Sequence, residues 1–208
     1  HACGHDVHMT SLIGTARRMV ASKDTWSGTL MLVAQPAEEW KISGAKAMRE
    51  DRIWERFGKP DYALAFHVAA DIEAGKLFAP RNAAYSAVDS LDVIVPGIGA
   101  HGASPHRGRD PIVIASQIVL ALQTLVSREL SPREPGVVTV GVFKAGNKRN
   151  VIGELARLEL TVRSDNESTR DKLLAGIERI AVNIGRAADL PEDRLPYIEI
   201  KGGVPVTA

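Results

Sequence analysis

The run His1-Ala2-Cys3-Gly4-His5-Asp6-Val7-His8 brings three imidazoles, a thiol and a carboxylate together within one short stretch, and Gln35-Pro36-Ala37-Glu38-Glu39 adds two adjacent carboxylates. A thiolate and neutral imidazoles are good donors for zinc, manganese or cobalt, and a carboxylate beside such an ion can take a proton from water. The combination points to metal-dependent hydrolysis. Cys3 and His5 are two residues apart, so an extended backbone could aim both side chains at one ion. The plainer reading of the pair is a buried free cysteine beside a hydrogen-bonded histidine. Glu38 and Glu39 would point in different directions on an extended segment, one toward a metal and one toward water, or would simply form a solvated acidic loop. His67 stands at the end of another apolar run. Asp6 and His8 are candidates for holding a ligand's tautomer from behind, and Asp6 could equally cap a helix.

These residues need elements to position them. Leu12, Ile13, Ala16, Met19 and Val20 recur at three- and four-residue spacing, which predicts a helix over Met9–Ala21. Thr29–Ala34 and Tyr62–Phe66 are short apolar runs of the kind buried in parallel sheets, with a helix expected between them from Ser43 to about Trp54. Glu38, Glu39 and His67 follow the two runs, and sites in open α/β sheets form at the carboxyl ends of strands. From about Ala87 the pattern changes. Leu91, Val93 and Val95, then Val138, Val140 and Val142, then Leu158, Leu160 and Val162, and lastly Ile198 and Ile200 within Tyr197–Lys201, alternate as in half-buried strands. Asp110 and Pro111 open a helix with the stripe Ala115, Ile118, Val119, Leu122 and Leu125, and a second helix carries Leu173, Ile177, Ile180, Ala181 and Ile184. The order β-α-β-β-α-β is ferredoxin-like. The fold expected is thus two-domain α/β: a partial catalytic domain with a mainly parallel sheet over residues 1–86, a ferredoxin-like domain over 87–201, and a return toward the first domain over 202–208.

Composition narrows the partners. Of 208 residues, 26 are basic and 25 acidic, a formal charge of +1, which gives no broad basic surface for nucleic acid. Cys3 is the only cysteine, so no intrachain disulfide forms and a reducing, cytoplasmic setting fits. No run of about 18 apolar residues marks a membrane span. The chain opens inside its own motif without an initiator methionine and is read as an internal fragment, so a targeting signal ahead of it stays open. The stretch Gly97-Ile98-Gly99-Ala100-His101-Gly102-Ala103-Ser104-Pro105-His106 matches neither the dinucleotide nor the P-loop spacing. Its histidines could polarise a carbonyl or steady an oxyanion, or its glycines could merely serve a tight turn.

Taken in order, His1 to His8, Gln35 to Glu39, His67, Gly99 to His106 and Asn150-Val151-Ile152 resemble the amidohydrolase branch of the dinuclear aminoacylase/carboxypeptidase G superfamily, which includes hippurate hydrolase and plant auxin-conjugate hydrolases. The resemblance implies a site for two divalent ions, manganese or zinc with cobalt or nickel as further candidates. Cys3 would bridge them, with His5, Glu39 and His67 as further ligands and Glu38 as the general base. The substrate class implied is N-acyl amino acids or related small amides. The resemblance also implies a homodimer through the second domain, which places His101 over an active site, its own or the partner's, while Asn150 and Arg163 hold the substrate carboxylate. A guanidinium fork suits that task. Arg163 could equally be an exposed charge on a sheet face.

Two departures stand out: Gly153 occupies the place of the usual proline, and no residue here matches the C-terminal histidine ligand, so weak or absent turnover is expected of this chain by itself. Two other readings remain open, a cysteine-nucleophile amidase using Cys3 with His5 or His67, and a non-catalytic metal-binding or dimerisation module.

Overall fold

A computed structural model describes residues 3–39, 44–79 and 85–206. His1 and Ala2 of the first motif, and Ser43 at the expected opening of a helix, lie outside the described residues. The chain divides into two compact units, His1–Ala79 and Pro80–Ala208.

In the first unit, helix α1 spans His5–Ala21 and begins four residues before the expected start at Met9. Gly4 is its N-cap, in the left-handed conformation at φ 71° that only glycine adopts freely. Asp6 lies in the first turn, where a carboxylate favours the positive end of the helix dipole. Cys3 and His5 therefore meet across a left-handed turn into a helix, not on the extended backbone expected of them. The expected second helix is broken into α2, Gly44–Glu50, and α3, Ile53–Phe57, because Arg52 turns left-handed at φ 59°.

The mainly parallel sheet expected over residues 1–86 is not found: no strand occurs among the described residues of this unit, and the strands described in the other unit pair antiparallel. Thr29–Ala34 and Tyr62–Phe66 make no ladder bonds there, and Leu32, Val33, Leu64 and Phe66 are exposed. An apolar run signals a demand for burial, whereas a strand exists only where a neighbour's N–H and C=O groups meet its own.

The second unit carries the core. Its strands are β1 (Ala87–Pro96), β2 (Ala100–His101), β3 (Gly136–Ala145), β4 (Val151–Ile152), β5 (Leu155–Ser164) and β6 (Tyr197–Val204), with helices α4 (Pro111–Thr124) and α5 (Glu167–Ala187). Four strands form one sheet in the order β3-β5-β1-β6, and β2 pairs with β4 beside it. Every neighbour in the larger sheet is antiparallel. That follows from the connections, since α4 joins β1 to β3 across β5, and α5 joins β5 to β6 across β1. Strand β6 continues past Lys201 through Gly202 and Gly203 to Val204, with a register shift opposite Ser90 and Leu91, so residues 202–204 extend the sheet where a return out of the domain was expected.

Asp110 caps α4 as expected, its carboxylate accepting the N–H of Ile112 at 2.9 Å. The stripes of α4 and α5 close over one sheet face, where Leu91, Val93, Leu158, Ile118, Leu122, Leu173 and Ile177 form the buried centre. Helix α4 with the π-turn that follows, Pro111–Glu129, has a mean hydropathy of 1.4 over 18 residues and passes the length and composition test for a membrane span; Ile114, Ile118 and Leu122 on it belong to the core of this unit.

Two buried acids were missed by the alternation pattern. Asp89, 1 % exposed, receives a two-pronged bond from Arg170 of α5, with both nitrogens at 2.7 Å. The pair ties α5 to β1, and the bond to Asp89 holds the Arg170 pKa above its ordinary value. Asp92, 3 % exposed on the opposite face, lies 2.6 Å from Arg157 and 3.3 Å from Lys201. Arg157 is thus committed to an ion pair on the sheet face that α4 and α5 leave uncovered.

Candidate metal centre

Three stretches of the first unit converge on one place. The turn into α1 supplies Cys3 and His5, the segment after the first apolar run supplies Glu38 and Glu39, and the segment after the second supplies His67. Cys3 Sγ lies 3.3 Å from His67 Nε2. His5 Nε2 lies 3.6 Å from a Glu38 oxygen and 3.8 Å from a Glu39 oxygen. In each of the sets Cys3–His5–His67 and His5–Glu38–Glu39, the donor atoms lie within 4.8 Å of one another. One thiol, two imidazoles and two carboxylates in two overlapping sets fit a pair of borderline divalent cations. The family resemblance implies Cys3 as the shared ligand; His5 is the residue common to these two sets.

The electrostatics suit a cation. Desolvation pushes the Cys3 thiol above its ordinary pKa, and the hydrogen bond and negative charge of Glu39 and the charge of Glu38 push it further. Carboxylates crowded beside a thiol raise the cost of a free thiolate, and a bound cation removes that cost. His8 is pushed down by desolvation first, then by His67 and His5.

His8 was weighed in the sequence only as a residue that could hold a ligand's tautomer. Its Nε2 accepts the backbone N–H of Val68 at 3.1 Å, and its ring centre lies 4.3 Å from that of His67. Asp6 is exposed in the first turn of α1.

The remaining candidates belong to the second unit. β2 and β4 form a two-residue ladder in which His101 faces Val151, and Gly102 donates its N–H to the Asn150 carbonyl at 2.8 Å. His101 and Asn150 are thereby neighbours. The backbone N–H of Ala103 is donated to His101 Nδ1 at 3.1 Å, so a neutral ring carries its proton on Nε2, as a donor. The glycines of this loop admit close backbone: a Cβ on Gly97 would stand 2.7 Å from the Arg109 carbonyl oxygen, and one on Gly102 would stand 3.1 Å from the Asn150 carbonyl. That is the turn-forming alternative rather than a phosphate cradle. Asn147, Lys148, Arg149 and Asn150 line an open concavity of about 570 Å³.

Arg163 is elsewhere. It pairs with Val88 and Val137 at the far end of β5, exposed. From Leu155, near the β4 end, the strand runs about 26 Å to Arg163 at about 3.3 Å per residue. One small substrate cannot touch both Asn150 and Arg163 of the same chain.

A mixed thiol, imidazole and carboxylate donor set in the first unit is of the kind that suits divalent cations, and the second unit is α/β with an antiparallel sheet. Residues 1–191 match the model of Peptidase family M20/M25/M40, and the chain belongs to that family. It is 38% identical over 190 residues to the hippurate hydrolase of Campylobacter jejuni, covering 91% of this chain and 49% of that protein. It is 36% identical over 180 residues to the N-acetyldiaminopimelate deacetylase of Oceanobacillus iheyensis, covering 86% and 47%. Among solved structures it resembles the Bacillus subtilis YXEP protein, a dinuclear metal binding peptidase of family M20, with TM-score 0.74 and 26% identity over 99% of this chain and 50% of that one. The chain spans about half the length of the curated relatives it matches.

Proposed function

We propose that this chain carries the metal-binding part of an amidohydrolase that cleaves the amide bond of N-acyl amino acids or related small amides. The observation that carries the reading is the convergence of Cys3, His5, Glu38, Glu39 and His67 from three separate segments onto two overlapping donor sets. Its support from relatives is their names: one acts on hippurate, another on N-acetyldiaminopimelate. Both substrates join an acyl group to an amino acid through an amide.

Cys3, His5, Glu39 and His67 are the ligands in this reading, for two divalent ions of which manganese and zinc are the leading candidates and cobalt or nickel also suit the donors. When bound, such ions polarise an amide carbonyl and acidify water. Glu38, beside His5 but not needed to complete the thiol-containing set, is the general base: it takes a proton from the attacking water and delivers it to the leaving amine. His101 presents Nε2–H to the developing oxyanion. Asn150 and Arg163 bind the substrate carboxylate; given their separation within one chain, they serve one substrate only if they come from different copies.

The second unit is then the ferredoxin-like dimerisation and lid domain, and the protein a homodimer. Support comes from the β-α-β-β-α-β order of its four-stranded sheet and the two helices, from β3 as an edge strand, and from Val113 and Leu120 exposed on α4. A reducing, cytoplasmic location rests on the single cysteine alone.

The cysteine-nucleophile reading draws on the 3.3 Å approach of Cys3 to His67. Its weakness is electrostatic: nucleophilic thiols have depressed pKa values, and the acids around Cys3 push its own upward.

The deciding experiment compares metal content by elemental analysis, after equilibration with zinc and with manganese, for the wild type, Glu39→Ala and Glu38→Gln. Two ions per chain in the wild type, fewer in Glu39→Ala and no loss in Glu38→Gln, are expected. In the full-length protein, Glu38→Gln should lower hydrolysis of an N-acyl amino acid by about 10²–10⁴-fold. Absence of metal from the wild type in both equilibrations overturns the reading.

A further inference from the structure

His67 supplies its nitrogen from a segment with no ladder bonds among the described residues, so its direction must be set some other way. Its Nδ1 lies 2.7 Å from the carbonyl of Val68, the next residue, which leaves Nε2 to face Cys3. The other polar group of Val68, its N–H, is donated to His8 Nε2. Gly4 completes the grip, because a Cβ there would run into Val68 Cγ2. The helix that begins at the thiol motif therefore holds the peptide that aims His67.

The lone pair of His8 Nε2 is engaged by a backbone N–H, so this nitrogen is not available to an ion. We infer that His8 is a positioning residue: by accepting the Val68 N–H from the first turns of α1, it fixes the 67–68 peptide so that His67 Nε2 faces Cys3. His8 does for the peptide what a ladder bond does for a ligand at a strand end. The spacing has a simple geometric basis. His5 and His8 are three residues apart on one helix face, so one faces the carboxylates while the other faces the incoming segment.

This inference rests on the reading of Cys3 and His67 as metal ligands, and its test separates the two. His8→Gln keeps an acceptor at nearly the same reach, whereas His8→Leu keeps comparable bulk and removes the acceptor. In the metal-free chain, hydrogen exchange at the Val68 amide should be faster in His8→Leu and near wild type in His8→Gln. Titration with cobalt(II), read by calorimetry and by thiolate-to-cobalt absorption, should show affinity reduced about 10–100-fold in His8→Leu and largely recovered in His8→Gln. Unchanged Val68 exchange in His8→Leu, or an equal loss in both variants, overturns the positioning role. If the wild type takes up no cobalt, the metal reading fails, and the exchange measurement still decides whether His8 holds the peptide.

Discussion

The two units of this chain divide the candidate metal donors from the buried core. The second buries a continuous apolar centre between one sheet face and two helices, and its one deeply buried acid on that side, Asp89, is matched by Arg170. The first holds every candidate metal ligand, yet among its described residues only Gly44 is buried, and Leu64 and Leu77 are 99% and 97% exposed. A site needs few residues, placed by short turns and side-chain hydrogen bonds, while a stable core needs many apolar side chains removed from water together. The difference teaches that the donor cluster here is held by local devices: the left-handed turn at Gly4, the start of α1, and the His8–Val68 bond.

Tryptophan offers a way to sharpen this. All three tryptophans, Trp26, Trp40 and Trp54, fall in the first unit, whereas the long helices and the sheet of the second dominate the far-ultraviolet circular dichroism. The largest effect is expected from Leu158→Ala, a fully buried centre of β5, which should cost about 3 kcal/mol. It should move the urea midpoint seen by circular dichroism and leave that seen by tryptophan fluorescence in place. Coincident shifts in both signals would break the comparison, because they would make the two units one cooperative body.

Leu64→Ala is the counterpart in the first unit, and its cost should stay under about 0.5 kcal/mol by either probe. A loss of the size expected for Leu158 would mean that Leu64 is covered in solution.

The smallest effect concerns acid. Arg186 hydrogen-bonds Glu192 and holds that carboxyl below the usual carboxylate range. A depressed folded-state pKa gives stability that is present above the unfolded value, about 4.3, and is lost as pH falls through the depressed one. Both groups are exposed, so Glu192→Gln should lower the urea midpoint at pH 7 by barely more than the error of the measurement. At pH 2 the two proteins should coincide. A difference that grows toward low pH would reverse the sign and remove this pair as its source.

Much of the second unit was legible because its periodicities are long and regular. The strands around Leu91, Val140 and Leu160 and the stripes of α4 and α5 each repeat over enough residues for face and type to be read. Asp110 and Pro111 announced the start of α4 by chemistry local to a helix end. Less was legible in the first unit. Its apolar runs read as strands, but pairing is a property of two segments, and no partner is found among the described residues. Asp89 also escaped the pattern: an acid on a core-facing position looks like an error until Arg170, 81 residues later, is seen to meet it.

For the candidate site, the sequence by itself determined which side chains are candidate donors. Cys3, His5, Glu38, Glu39 and His67 are marked by residue type, by close spacing within the first two motifs, and by their place after apolar runs. What only the tertiary structure decided is how they face one another. His5 reaches both glutamates because α1 begins at His5, and Gly4 can make the turn that puts it there. His67 reaches Cys3 because Val68 is gripped from α1 by His8. Ligand type is written in single residues, but ligand direction depends on side-chain hydrogen bonds between segments some 60 residues apart, and those form only when the chain has folded.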